Sequence, residues 1–190
     1  MTRFVFNTAA TLDGHLADPD HSLAWLFEVD GGTPDAPEHA EPFTAFLESV
    51  GVTVLGSSTY EWLLRETGAL DSPAAWEEAI SGKPAFLFTS RDLPVPEGAD
   101  LTVVSGDVAD HLDAIRERAG DRDVWVMGGG DLVGQFDDAG ALDEVQVSIA
   151  PATLGAGAPL LPRRIGSDRL HLEDVVRRGQ FAHLTYRVSR

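Results

Sequence analysis

Cysteine is absent from the 190-residue chain, which excludes disulfides, thiolate nucleophiles and cysteine-based metal or iron–sulfur centres. Lysine is nearly absent: thirteen arginines accompany the single Lys83. Gly82-Lys83 runs directly into Pro84, so there is no Walker-type phosphate loop. No window approaches the roughly 18 apolar residues that span a bilayer, and Met1-Thr2-Arg3-Phe4 does not open a long apolar signal region. The expected location is the cytoplasm. Cations of any kind are few, 14 basic against 31 acidic side chains, giving a net charge of −17. Such a field repels polyphosphate backbones and anionic lipid surfaces, so neither nucleic acid nor a membrane is an expected partner. The six histidines (15, 21, 39, 111, 171 and 183) lack compact ligand spacing, and no metal site is expected. A Gly-x-Ser-x-Gly elbow is missing too, which leaves Ser-His-Asp hydrolysis without support.

What is present is ordinary globular composition, 43% hydrophobic and 24% charged, enough for a core. A single domain over residues 1–190 is expected at this length. The charge is uneven. Residues 163–190 carry seven arginines against three acids, net +4, and the remainder of the chain is net −21. That segment reads either as a solvated terminal hairpin or as a patch for an acidic partner or an anionic ligand.

Along the chain, Phe4 and Phe6 around Val5 predict an opening strand, broken by Thr11-Leu12-Asp13-Gly14. Residues 30–42 mix glycines, prolines and acids and read as an exposed loop, a candidate lid. Phe43, Phe46, Leu47 and Val50 fall at helical spacing, predicting a helix over 42–50 stopped at Gly51. A strand over 52–55 closes at Gly56 and a helix over 59–66 follows. Further strands are predicted over 85–89 and 101–104, then a helix capped by Asp107 and running through Ala119, with Leu112 and Ile115 inward. The apolar strand 124–127 leads into Gly128-Gly129-Gly130 and a helix over 131–138. Strands alternating with helices imply a mainly parallel sheet covered on both faces. In the last third Val145, Val147 and Ile149 alternate with Gln146 and Ser148, and residues 170–176 pair with 181–188 across Arg178-Gly179-Gln180. These read as half-exposed strands ending in an antiparallel edge hairpin, so the fold class is α/β with a mixed, mainly parallel sheet.

Three strand ends carry phosphate-compatible residues. After 124–127 come three glycines and a helix; glycine admits a pyrophosphate close to the backbone, and the helix N-terminal amides donate to it. The same run also reads as a tight connection, and Val133 stands where the third glycine of G-x-G-x-x-G belongs. The second end is Gly56-Ser57-Ser58-Thr59 and the third Thr89-Ser90-Arg91, each of which alone also reads as a cap or turn. Ligands of open α/β sheets sit outside the carboxyl ends of the parallel strands, where all three fall.

In order, Thr11-Leu12-Asp13-Gly14, Val54-Leu55-Gly56-Ser57-Ser58-Thr59-Tyr60-Glu61, Leu87-Phe88-Thr89-Ser90-Arg91, Val126-Met127-Gly128-Gly129-Gly130-Asp131-Leu132, and Leu142-Asp143-Glu144 through Leu154-Gly155-Ala156-Gly157 resemble the dihydrofolate reductase-like superfamily. The pattern is most similar to the reductase domain of the bifunctional riboflavin-biosynthesis deaminase/reductase and its stand-alone relatives.

The resemblance implies a three-layer fold and an NADPH-dependent reductase passing hydride to a small pterin-, pyrimidine- or carbonyl/imine-type substrate in one cleft. It implies Ala9 and Leu16 near the nicotinamide; Gly56, Ser57, Ser58 and Thr59 with Met127, Gly128, Gly129, Gly130, Asp131 and Leu132 around the phosphates; and Ser90 with Arg91 at the adenosine ribose and its 2′-phosphate. The family commonly has a basic residue where this chain has Ser57. An alignment on Gly56 brings a folate-type carboxylate position to Ala40, beside Glu41, which reads either as a proton-relaying acid or as a first-turn helix acid. Asp13 is expected to organise its turn. Trp25, beside the candidate lid, is either packing or a surface on which substrate stacks. Relatives of this kind are commonly dimers, and a homodimer is expected. The alternative is a dinucleotide-binding module of the same fold without turnover.

Overall fold

The computed structural model describes residues 2–29 and 37–190, with side chains from residue 42 onward in the second stretch. The chain opens with β1 (Phe4–Thr11), β2 (His15–Ala17), α1 (Ala24–Glu28) and α2 (Pro37–Ser49). It continues with β3 (Val50–Gly56), α3 (Ser57–Thr67), α4 (Pro73–Ala79), β4 (Ala85–Phe88) and β5 (Leu101–Val104). A 3-10 turn at Val108–His111 leads into α5 (Leu112–Ala119), then β6 (Asp123–Gly128), α6 (Gly130–Asp138), β7 (Leu142–Ala150), β8 (Ala158–Pro159), β9 (Leu170–Arg178) and β10 (Phe181–Val188).

Eight strands form one sheet in the order β5-β4-β3-β6-β1-β7-β10-β9, and β2 pairs with β8 in a small second sheet. The pairs β5-β4, β4-β3, β3-β6, β6-β1 and β1-β7 are parallel. Within this sheet only β7-β10 and β10-β9 are antiparallel, which is the expected mixed sheet with a C-terminal hairpin at its edge. The strand β6 returns late in the chain to lie between β1 and β3.

Alternation along the strands separates two faces. One is apolar throughout: Phe4, Phe6, Val52, Val54, Phe86, Val124, Val126 and Val145 pack beneath α5 and α6, with Ile115, Val133 and Phe136 fully buried. The other is divided. Its β3–β4 half is apolar, with Leu55, Leu87, Tyr60, Leu63 and Trp76 packed under α3 and α4. Burial pushes the Tyr60 phenol up to about 12, and its hydroxyl donates to Pro94 O at 2.6 Å. The other half of this face presents polar side chains.

Several boundaries differ from the sequence reading. The helix expected over 42–50 begins at Pro37, and Pro42 lies inside it. A proline in the first turn sacrifices no helical donor, so Pro37 starts the helix that proline content argued against. Residues 30–36 of the expected loop lie outside the described residues. Val50 opens β3 instead of ending the helix. Asp107 precedes the 3-10 turn and its side chain makes no capping bond, so the tighter turn, not a carboxylate cap, introduces α5.

The C-terminal arginines meet acids of the same chain. Arg163 bridges Asp138 (2.9 Å) and Asp131 (3.0 Å) along α6, Arg169 holds the buried Asp137 at 2.7 Å, and Arg187 and Arg190 reach Glu173 and Asp143. The hydrogen bonds they donate to these carboxylates raise the Arg163 and Arg169 pKa values further. Neither whole reading of the segment covers this, because four of its seven cations pair with acids of the same chain.

Asp13 ties together two distant motifs. Its carboxylate accepts from the Thr11 hydroxyl (2.5 Å) and from the backbone N–H groups of Gly155 (2.7 Å) and Leu154 (3.1 Å). These bonds, the Thr11 hydroxyl foremost, hold its pKa well below the ordinary carboxylate range. The turn after β1 is thereby fastened to the loop after β7, as its expected organising role requires.

The folded-state pKa of Asp13 lies below the unfolded value of 3.8, so its stabilisation is complete above that value and is lost as pH falls below it. Asp13→Ala is expected to speed amide exchange at Leu154 and Gly155 at neutral pH, and wild type is expected to lose that protection only in acid. Equal exchange in both proteins at neutral pH contradicts the role. A Cβ at Gly130 would overlap the carbonyl oxygens of Pro159 and Leu160, whereas one at Gly129 meets nothing within 4 Å. Gly130→Ala is expected to cost about 1–3 kcal/mol in urea unfolding, and Gly129→Ala close to nothing.

Candidate functional site

A cavity of about 640 Å³ opens where β1, β6 and the start of α3 meet, and it extends over the polar half of the divided face. Its position follows from topology. The crossover from β1 to β3 leaves a gap that β6 fills, and the carboxyl ends of β3 and β6 lie side by side, with Leu55 opposite Gly128.

At that junction two helices begin next to each other. Gly56 and Gly129 are the N-cap residues of α3 and α6, and neither helix carries a side-chain cap. Their first-turn amides therefore lack the usual side-chain acceptor. A Cβ on Gly56 would lie 3.3 Å from Gly128 O, and one on Gly128 would lie 3.3 Å from the Thr59 hydroxyl oxygen. Gly128 has φ +141°, a conformation that side chains disfavour. Glycine is thus favoured at 56 by a tight backbone contact and at 128 by its backbone conformation, while at 129 its missing side chain leaves open space.

Of the residues singled out from the sequence, Ala9, Leu16, Trp25, Ser58, Thr59, Met127, Gly128 and Gly129 line the cavity. Gly56 and Ser57 stand behind this wall, and the Ser57 hydroxyl donates to Phe88 O at 3.4 Å. Gly130 packs on the β8 segment and Leu132 enters the core. Asp131 faces outward, where Gln135 and then Arg163 lower its pKa. Ser90 and Arg91 are exposed, and Arg91 is paired bidentately with Glu61 at 3.0 and 2.6 Å. The Glu41 side chain lies outside the described residues. Trp25 is a buried wall residue: it packs on Ala150 and Phe181, and its indole N–H donates to Leu16 O at 3.3 Å.

The floor of the cavity is a polar grid that the sequence reading assigned to half-exposed strands. In register, Asn7 lies beside Gln146 and Gln146 beside Thr185; one step on, Ala9 lies beside Ser148 and Ser148 beside His183. The Asn7 amide donates to Gln146 at 2.7 Å, Gln146 donates to Glu144 at 2.5 Å, and Glu144 receives Arg3 at 2.8 Å. Because a carboxylate only accepts, this chain orients both amides and leaves the Asn7 side-chain oxygen as its terminal acceptor. Ser148 and His183 are joined at 2.8 Å between Oγ and Nδ1. Facing them is an aromatic wall, with Phe43 and Phe46 of α2 edge-on to Trp125 at 5.8 and 5.5 Å. The Trp125 indole N–H donates to Asn7 O at 3.1 Å. Sequence alternation revealed which residues share this face, but not that α2 and α1 would roof it.

Among the described residues no group of three or more His, Asp or Glu side chains could hold a metal ion, and no helix is long and apolar enough to cross a membrane. The arrangement offers a helix-flanked strand end beside an amide-, hydroxyl- and imidazole-lined floor under aromatic cover.

Comparison with known proteins agrees with this architecture. Residues 3–183 match the model of the RibD C-terminal domain. The uncharacterized protein YwjB of Bacillus subtilis is 28% identical over 182 residues, covering 96% of this chain and 95% of YwjB. Among solved structures, a protein of Shewanella sp. PV-4 assigned to riboflavin biosynthesis superposes with a TM-score of 0.75 at 26% identity, covering 100% of both chains. The Thermotoga maritima deaminase and 5-amino-6-(5-phosphoribosylamino)uracil reductase superposes at 0.67 with 16% identity, over 99% of this chain and 57% of that one. Dihydrofolate reductase of Enterococcus faecalis, solved with NADP(H), superposes at 0.56 with 14% identity over 99% and 97% of the two chains. The chain belongs to the RibD C-terminal domain family, riboflavin-biosynthesis reductase-like proteins with the dihydrofolate reductase-like fold.

Proposed function

We propose that this protein is an NADPH-dependent reductase acting on a C=N or C=O bond of a small heterocyclic substrate. The observation that carries this reading is the open space over Gly129, between two helix N-termini without side-chain caps and next to a polar floor under aromatic cover. Backbone amides at the start of α3 and α6, with the Ser58 and Thr59 hydroxyls, provide donors for a pyrophosphate. Ala9, Leu16 and Met127 present small or apolar surface for a nicotinamide. The bound cofactor would supply hydride; the protein's own part is to orient the substrate against it, exclude water with Phe43, Phe46 and Trp125, and place hydrogen-bonding groups at the reacting heteroatom.

The 2′-phosphate end rests on Arg91. An exposed ion pair such as Arg91–Glu61 contributes only about 0.2–1 kcal/mol, less than the roughly 1.5–3 kcal/mol of a charged hydrogen bond to phosphate. Arg91 can therefore exchange one partner for the other at a net gain. The edge strand β9, with Leu172 and Val175 exposed, supports association of two copies of this chain as a homodimer.

NADPH at 100 times its dissociation constant is expected to stabilise the fold by about 2.7 kcal/mol in thermal shift. Gly129→Val is expected to remove that shift while leaving unliganded stability intact, because its side chain fills the open space; a retained shift removes this turn from the site. Arg91→Ala is expected to weaken NADPH about 2- to 100-fold and NADH hardly at all, by fluorescence titration. Equal loss for both cofactors contradicts the 2′-phosphate role. Turnover is read as loss of NADPH absorbance with 5-amino-6-(5-phosphoribosylamino)uracil and with 7,8-dihydrofolate. Tight NADPH binding without reduction of either or of simple imines favours the non-catalytic module.

A further inference from the structure

Reduction of a C=N or C=O bond needs a proton as well as a hydride. The acid sought on α2 would have to be Glu41, whose side chain lies outside the described residues, whereas the cavity floor contains a hydroxyl and an imidazole already joined. Ser148 Oγ and His183 Nδ1 are 2.8 Å apart. Both line the cavity, and Ser148 lies in register with Ala9, the residue of β1 nearest the expected nicotinamide position. The β7–β10 pairing fixes the dyad, since Ser148 and His183 are direct cross-strand partners on two well-paired strands.

Resting on the reductase reading, we propose that Ser148 is the catalytic proton donor of this site and that His183 is the group that positions and recharges it. As hydride adds to the substrate carbon, the π electron pair moves to the nitrogen or oxygen, which takes the proton from Ser148 Oγ. The Nδ1–H of the His183 imidazolium passes to Ser148 Oγ, so the hydroxyl is restored and His183 becomes neutral. After the product leaves, water in the cavity gives a proton to Ser148 Oγ as the serine's own proton passes back to His183 Nδ1, a return that runs through the serine because His183 Nε2 is buried. Per turnover the substrate gains one hydride and one proton, and the dinucleotide is oxidised.

The paired strands bring groups of both charge signs near His183. On β9, Val176 is the direct partner of His183, and Asp174 and Arg178 flank it on the cavity side. On β10 the neighbours on that side are Thr185 and Phe181, the latter ring 6.3 Å away. On β7 they are Ser148 and the uncharged Gln146, with Glu144 at the end of the row already engaged by Arg3 and Gln146. His21 lines the cavity from the turn after β2. Asp174 favours the cationic imidazole and Arg178 opposes it, and the relay requires that the two charge forms interconvert near neutral pH.

The test combines a cofactor-free and a turnover readout. In the cofactor-free protein, ¹H–¹⁵N spectra of the histidine side chains are expected to show His183 titrating between about pH 5 and 8, with a midpoint that moves in Ser148→Ala. A His183 that does not titrate, or that is indifferent to Ser148, overturns the dyad whatever the protein reduces. With NADPH and 5-amino-6-(5-phosphoribosylamino)uracil or 7,8-dihydrofolate, Ser148→Ala is expected to lower kcat by about 10²- to 10⁴-fold. NADPH affinity should be unchanged, and Ser148→Thr, which keeps the hydroxyl, should recover most of the rate. Wild-type kcat is expected to fall as pH rises through the imidazole range, and His183→Gln to lose that limb. Variants with wild-type kcat and pH profile overturn the relay while the reductase reading stands. Failure of wild type to bind NADPH in the same titrations overturns the reductase reading itself, and the relay with it.

Discussion

The insertion of β6 between β1 and β3 is the constraint on which the rest of the molecule depends. Parallel strands need crossovers, and this late return places the carboxyl ends of β3 and β6 in direct contact. That contact leaves little room for a side chain at Gly56 or Gly128, and it aligns the first turns of α3 and α6. Gly130 is bound by a different neighbour, the β8 segment, whose position depends in turn on the loop held by Asp13. The three consecutive glycines thus answer three separate demands: a close approach with positive φ at 128, open space at 129 and backbone packing at 130.

The second organising feature is the unequal division of one sheet face. Under α3 and α4 it is filled by Leu55, Leu87, Tyr60 and Trp76, while from β1 to β9 it presents Asn7, Gln146, Ser148, His183 and Thr185. Partly buried polar groups are costly unless hydrogen-bonded; here Asn7 donates to Gln146, Gln146 to Glu144, and Ser148 joins His183, so the floor keeps a defined pattern of donors and acceptors. A helix packed squarely on this half would close the cavity. Instead α2 reaches it with Phe43 and Phe46 edge-on to Trp125, which shields the floor from one side and leaves it open from another.

Charge shows the same economy. The arginine-rich C-terminal segment offsets acids on α6 and β7, and its cations brace the sheet edge against α6. Asp13 works alone in a comparable way. An anion that accepts two backbone N–H groups and a hydroxyl joins chain segments separated by 141 and 142 residues, which accounts for the joint presence of the Thr11–Gly14 and Leu154–Gly157 motifs in one sequence.

Much of this was legible from residue order. Period-2 alternation, apolar strands closed by glycine and helical spacing identified the main strands, the mixed sheet and the terminal hairpin, because those signals are local and the sheet satisfies them locally. The motif order carried the family. Pro37 as a helix start was missed because proline opens a helix only when the chain beyond it has something to pack on, and that partner, Trp125, is more than eighty residues away. The same reason hid the floor of the site. Sequence by itself determined that Gln146 and Ser148 share a face with each other, and His183 with Thr185; whether that face met water or a cavity was decided only when β1, β7 and β10 came into register and α1 and α2 closed over them, a long-range packing outcome to which no local pattern is sensitive.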